Sequence, residues 1–143
     1  MTLSPIFETK VLASSVQRWV MDPRSAGEAR HALRERMGVW GLADSADVAE
    51  LVLSELFTNA LRHSKAPSDR LIETHFEQLP DGVRIQVHDA GDSVPISREA
   101  PDDAEGGRGL SLVDALSGGR WGVAGRDGVG KAVWAVVPAV DGA

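Results

Sequence analysis

Three short stretches of this chain carry side chains whose type and spacing can do chemistry. In LSELFTNALRHS, Glu55, Asn59 and His63 recur at i, i+4 and i+8. On an α-helix that spacing advances by about 40° at each step, so all three lie along one side. The side-chain oxygen of Asn59 is a hard ligand of the kind Mg²⁺ prefers, and the Glu55 carboxylate can polarise a hydroxyl or a water. The same spacing also describes a solvated polar edge with His63 on its rim. In VRIQVHDAG, Val83, Ile85 and Val87 alternate with Arg84, Gln86 and His88, and by that parity Asp89 falls on the side of the valines. A carboxylate on the apolar side is costly unless a donor meets it, such as the exocyclic amine of a planar base. Gly91 then allows a close approach, and the competing reading is an Asp that caps its own turn. In EGGRGLSLVDAL, Gly106, Gly107 and Gly109 precede an apolar helix pattern. Successive free amides there form an anion nest to which Arg108 adds charge, or else the glycines are only a loop hinge.

The elements that must position these residues are legible in outline. Ala46 to His63 is the strongest periodic segment, with Ala49, Val52, Leu53, Leu56, Phe57, Ala60 and Leu61 on one broad face and Asp44 or Ser45 as its cap. An earlier helix is expected from Ala26 to Met37, with Ser25 as N-cap, Glu28 in the capping-box position, and Gly38 and Gly41 closing it. Phe7–Leu12 and Val16–Met21 each have strand character, followed by an Asp22-Pro23 turn. Leu71–Gln78 and Val83–Asp89 read as a hairpin turned by Pro80-Asp81-Gly82. Ala90 to Gly107 reads as a long loop and Leu110–Leu116 as a short helix ended by Gly118-Gly119. Trp121–Ala124 and Ala132–Val137 form a second hairpin. This order implies an α+β, two-layer α/β sandwich, with helices on one face of a mostly antiparallel sheet.

One match in the sequence misleads. Gly125, Gly130 and Lys131 in GRDGVGKAVW have P-loop spacing, but Ala132 stands where Ser or Thr would bind Mg²⁺. A P-loop also needs a helix after the Lys, whose N-terminus holds the phosphates. Here the β-branched and aromatic run AVWAVVP follows, and Asp127-Gly128 is a hairpin-turn signal. The stretch is therefore expected to be a turn and a last strand.

Composition narrows the function. The chain has 143 residues, 43% hydrophobic and 25% charged, with a net charge of −6 and no cysteine. That length fits one domain with a single core. The acidic balance disfavours direct binding to nucleic acid or an anionic membrane, and the missing cysteines exclude disulfides and thiolate metal sites. The opening MTLSPIFETK has neither the basic region nor the apolar stretch of a signal peptide, so a cytoplasmic protein is expected.

The three stretches, in this order, resemble the GHKL superfamily of ATPases, which includes gyrase-type topoisomerases, MutL, the ninety-kilodalton heat-shock chaperone and histidine-kinase catalytic domains. Glu55 to Ala60 (E-x-x-x-N-A) looks like the N box, Asp89 to Gly91 (D-x-G) like the G1 box, and Gly107 to Leu110 (G-x-G-L) like the G2 box. SELFTNALRHS, GGRGLSLVDAL, the Trp121-Gly122 pair and the terminal GKAVW are similar to the anti-sigma factor serine/threonine kinases in their short actinomycete form. The resemblance covers about residues 20 to 138 of a single domain, 1–143, and implies the Bergerat ATP-binding fold with a mixed sheet.

The resemblance further implies ATP and Mg²⁺ as cofactors. Asn59 would bind the metal, Glu55 would serve as the base, and Asp89 would accept from the adenine amine with Gly91 close to the base. Gly107 and Gly109 would give amides to the phosphates, and 92–106 would be the lid. His63, Arg108 and Leu110 complete the set of cofactor-binding candidates. It implies a homodimeric protein serine/threonine kinase that phosphorylates a STAS-domain anti-sigma antagonist and binds a sigma factor. Two departures from the family pattern bear on this. Ser93 stands for the second Gly of D-x-G-x-G, and Ala132 stands where a Thr hydroxyl near the adenine is expected, a loss of about 0.5–1.5 kcal/mol. Those departures motivate an alternative, a non-catalytic regulatory binding module, and a detached histidine-kinase-like ATPase domain is a third.

Overall fold

The computed structural model describes residues 10–63, 71–89, 104–125 and 131–140; at His63, Asp89, 104–109, Gly125 and Lys131 it describes the backbone alone. Strand β1 spans Ala13–Val20, so the two strands expected near the N-terminus are replaced by one. Of the first expected strand, 7–9 lie outside the described residues and 10–12 are not strand. Helix α1 spans Ser25–Val39. The expected Ser25 cap is not formed: Ser25 is the first helical residue, it is buried, and no side chain caps at Arg24 before it. The Asp22-Pro23 turn meets the free amides instead. Asp22 Oδ1 accepts from the Arg24 N–H at 2.8 Å, and the Asp22 and Pro23 carbonyls accept from Ser25 and Ala26.

Gly41 ends α1, with φ +76°. The Leu42 N–H reaches the Met37 carbonyl at 2.7 Å and the Gly41 N–H reaches Gly38, the paired bonds of a Schellman cap. Only glycine takes that backbone conformation without steric cost. After a 3₁₀ turn at Ala43–Ser45, helix α2 runs Ala46–His63, as the sequence predicts. Its apolar face is a spine: Val52, Leu53, Leu56 and Phe57 are all fully buried. Burial of each such side chain is worth about 1.5–3 kcal/mol. Arg34 of α1 pairs with Asp47 and Glu50 of α2, which fixes the two helices side by side.

The sheet has the order β1-β2-β3-β5-β4 and each pairing is antiparallel, so the mixed sheet implied by the resemblance is not found among the described strands. Strand β2 is Leu71–Leu79 and β3 is Gly82–Asp89, joined by the expected turn. Strand β4 is Trp121–Gly125 and β5 is Lys131–Pro138. A strand, and no helix, follows the P-loop-like residues, as expected; 126–130 lie outside the described residues. Ile72 and Phe76 of β2, Val83, Ile85 and Val87 of β3, and Val133, Ala135 and Val137 of β5 join the helices in one core. The helices therefore cover one face, giving the two-layer α+β sandwich.

Helix α3 spans Ala104–Ser117. It starts six residues before the expected Leu110 and takes in Gly106, Gly107 and Gly109, while 90–103 lie outside the described residues. The glycine pattern pointed to a loop because each Gly weakens a helix by about 1 kcal/mol relative to Ala. Two apolar positions further along the segment, Val113 in the core and Leu116 packed against it, supply the compensating packing.

Candidate functional site

Strand and helix directions decide whether the three motif stretches meet. The start of α2 is tied to the end of β5: the Ser45 hydroxyl donates to the Pro138 carbonyl at 3.2 Å and accepts from the Val140 N–H at 2.8 Å. Ser45, one of the two expected caps of α2, is thus a clasp between the layers. Pro138 is in register with Gly82, the first residue of β3, so α2 and β3 set out from the same end. An 18-residue helix and an 8-residue strand are each about 27 Å long, so α2 and β3 also finish together. The second half of α2, with Glu55, Asn59 and His63, therefore lies at the Asp89 end of the sheet.

Helix α3 runs the other way. Just beyond its C-terminus the Arg120 carbonyl accepts from the Val136 N–H at 2.9 Å, and the Arg120 guanidinium reaches Asp81 at 3.1 Å, both at the Gly82 end. Its first turn, with Gly107, is therefore at the Asp89 end too. Residues 63, 71, 89, 104, 125 and 131, where six of the elements begin or finish, all gather there. The topology brings the three stretches to one end of the sandwich.

At that end the two described side chains differ. Glu55 is half-buried and Asn59 is buried, 7% exposed. Asn is a poor helix former, and an amide out of water costs free energy unless a partner meets it. A buried carbonyl oxygen one turn from a carboxylate fits a hard cation and the oxygens that cation carries. At His63 and Asp89 only the backbone is described; Asp89 closes β3 in register with Ile72 and Lys131. Gly91 and Ser93 lie outside the described residues.

The chain matches the family described as Histidine kinase-like ATPase domain over residues 20–135. It belongs to that family. It is also similar to two curated proteins named serine-protein kinase RsbW, from Staphylococcus aureus strains JH9 and Newman, at 32% identity over 87 residues. The match covers 51% of this chain and 55% of each relative, so the chain spans about half the length of the curated relatives it matches. The motif resemblance to GHKL ATPases of the anti-sigma factor kinase group is borne out.

Two positions read from the family pattern have a different setting. The first N–H to donate within a helix is that of its fourth helical residue, so the Gly106 amide is still available at the start of α3, while the Gly107 and Gly109 amides are already inside it. The nest expected from both glycines is thus a helix N-terminus with one glycine amide in it. Ala132 was expected beside a nucleotide base. It is in register with His88 and Ala124, on the sheet face away from α2, while Val133, Ala135 and Val137 face the core. The residue in register with Asp89 is Lys131, so Ala132 stands one position along β5 from it, at the same end of the sheet but on the opposite face.

The polar positions of β2 and β3 are a feature that the motifs do not carry. On the face away from the helices, Arg84 is only 3% exposed and its Nε donates to Glu77 Oε1 at 2.6 Å, where Gln86 also donates at 2.8 Å. On the same face Trp134 lies over Gly122, whose added Cβ would stand 3.1 Å from the indole. That contact explains the pairing of Trp121-Gly122 with the terminal tryptophan in the sequence. The alternation of Glu73, His75 and Glu77 with Arg84, Gln86 and His88 was the available signal.

Two cavities are lined by described residues, one of about 380 Å³ between β1 and α1 and one of about 330 Å³ between Ser45, Leu116 and Val137. Neither includes Glu55 or Asn59, and the second lies at the Gly82 end. No described helix is long and apolar enough to cross a membrane.

Proposed function

We propose that this chain is a Mg²⁺- and ATP-dependent protein serine/threonine kinase, a single nucleotide-binding domain with its core at about 20–138. Its substrate is an anti-sigma antagonist of the STAS type, and it also binds a sigma factor as a homodimer. The observation that carries the reading is the meeting of Glu55, buried Asn59, the end of β3 and the first turn of α3 at one end of the sandwich. Membership of the ATPase family and similarity to serine-protein kinases support it.

In this reading Asn59 Oδ1 holds the metal and Glu55 takes the proton of the attacking serine hydroxyl. Bound Mg²⁺-ATP supplies the phosphoryl group and the charge that neutralises it, so the protein's task is placement. Asp89 and Gly91 receive the adenine edge, with His63 at the rim. Gly107 and Gly109 contribute their amides once the start of α3 opens, and the glycines at 106, 107 and 109 make opening cheap, with Arg108 and Leu110 carried along. The test is transfer of labelled phosphate from ATP to a STAS-domain antagonist by the wild type and by Glu55→Gln. Transfer that Glu55→Gln abolishes supports the reading, and equal transfer by both contradicts Glu55 as the base.

One observation favours the second reading, a regulatory binding module without turnover. Helical backbone from Ala104 through Gly109 withholds both expected phosphate-binding amides. Calorimetry with Mg²⁺-ATP beside the transfer assay separates the two, since binding with no transfer is the outcome of the second.

A further inference from the structure

On the face of the sheet opposite α2, three side chains converge from adjacent strands. Glu73 and His75 stand two apart on β2, and His88 of β3 is in register with Glu73. One ligand atom from each lies within 4.8 Å of the other two, and all three residues are half-buried. Glu73 Oε1 and His75 Nε2 are 2.7 Å apart. The imidazoles of His75 and His88 stack with centroids 4.1 Å apart and planes 12° from parallel. An ion cannot lie in the planes of two stacked rings at once, so one imidazole turns out of the stack when the pair binds metal.

The groups behind these three are arranged as supporting partners. Arg18 Nε takes Glu73 Oε2 at 2.9 Å, which leaves Oε1 turned toward the histidines. Glu77 can only accept, and it receives Arg84 and Gln86; Gln86 therefore presents its amino group to Glu77 and its oxygen to His88 Nε2 at 2.9 Å. That order puts the proton of neutral His88 on Nε2 and the ring's lone pair on Nδ1. A ring nitrogen fixed by an outer hydrogen bond is the usual setting of a metal-binding histidine.

The geometry points to a divalent transition-metal site of the zinc type, formed by Glu73, His75 and His88, on the sheet face away from the proposed nucleotide site. Two imidazoles and one carboxylate suit Zn²⁺ or Co²⁺ better than Mg²⁺ or Ca²⁺, and leave a fourth position for water or a partner's side chain. The ion takes the place of the proton between Glu73 Oε1 and His75 Nε2, which shifts to Nδ1 of the neutral ring. Tetrahedral ligands at zinc distances sit about 3.3 Å apart, so these two atoms separate slightly on binding. The site joins β2 to β3, and through Arg18 it reaches the edge strand β1.

The test is titration of the full chain with Co²⁺ in the absence of nucleotide, read from the visible d–d bands, with Zn²⁺ as competitor. One equivalent should give bands of a four- or five-coordinate N/O site that Zn²⁺ removes. Glu73→Gln and His75→Ala should each weaken binding at least about a hundredfold, and Arg18→Met about tenfold. His31→Ala, which alters an exposed histidine on α1, should leave it unchanged. Glu73→Gln is nearly isosteric and serves if His75→Ala does not fold. Absence of the bands in the wild type, their survival in Glu73→Gln, or their loss in His31→Ala overturns the proposal. Because the titration contains no nucleotide, failure of the nucleotide reading does not touch the result.

Discussion

Asn59 is the residue whose placement is hardest to explain by folding alone. It is a helix-interior amide at 7% exposure, one turn from the half-buried Glu55. Spacing made both residues visible in the sequence, but spacing could not separate a cleft from a solvated edge; burial separates them. If Glu55 is the base, Glu55→Gln lowers phosphoryl transfer by about 10²–10⁴-fold while Mg²⁺-ATP binding, followed by calorimetry, stays within twofold. Ala132 shows the opposite case. The sequence marked it by family pattern, and only the register with His88 reveals that it faces away from α2. The buried Arg84–Glu77 pair went unread because alternating charged residues on a strand normally mean a solvent face. Glu77→Ala leaves Arg84 buried without its carboxylate, and a loss of about 3–5 kcal/mol is expected in urea denaturation.

Among the elements, α2 was the most legible, because a long apolar stripe fixes both its type and its bounds. Its spine also predicts its sensitivity: Leu56→Ala at a fully buried position costs about 2–5 kcal/mol. The start of α3 was misread because glycine propensity and tertiary packing disagree there. That conflict yields a prediction. Replacing Gly107 and Gly109 together with Ala stabilises the first turn by about 1 kcal/mol per site. The double variant should gain helicity by circular dichroism and bind Mg²⁺-ATP more weakly; equal affinity would show that the turn need not open. At the end of α1, Gly41→Ala forces a side chain into the left-handed region, and a loss of about 1–2 kcal/mol is expected in thermal unfolding.

In the whole molecule, the two layers give the sheet two separate tasks. The helix-covered face builds the core and, at its Asp89 end, gathers the three motif stretches; the other face carries the Glu73, His75 and His88 cluster. The fold class was legible because the order of periodic segments leaves few packings for two layers. The all-antiparallel pairing was not, since register between distant strands is set by contacts that no local pattern encodes. The Ser45 clasp to Pro138 and Val140 was likewise hidden, because a hydroxyl near a helix start reads as a cap. Convergence of Glu55, Asn59, Asp89 and Gly107 is a property of chain direction, and it is the central claim. Its most direct test is calorimetric titration of Mg²⁺-ATP into the wild type and Asn59→Ala. The account predicts saturable, Mg²⁺-dependent binding by the wild type that Asn59→Ala weakens at least about tenfold; the same affinity and the same Mg²⁺ dependence in both would contradict it.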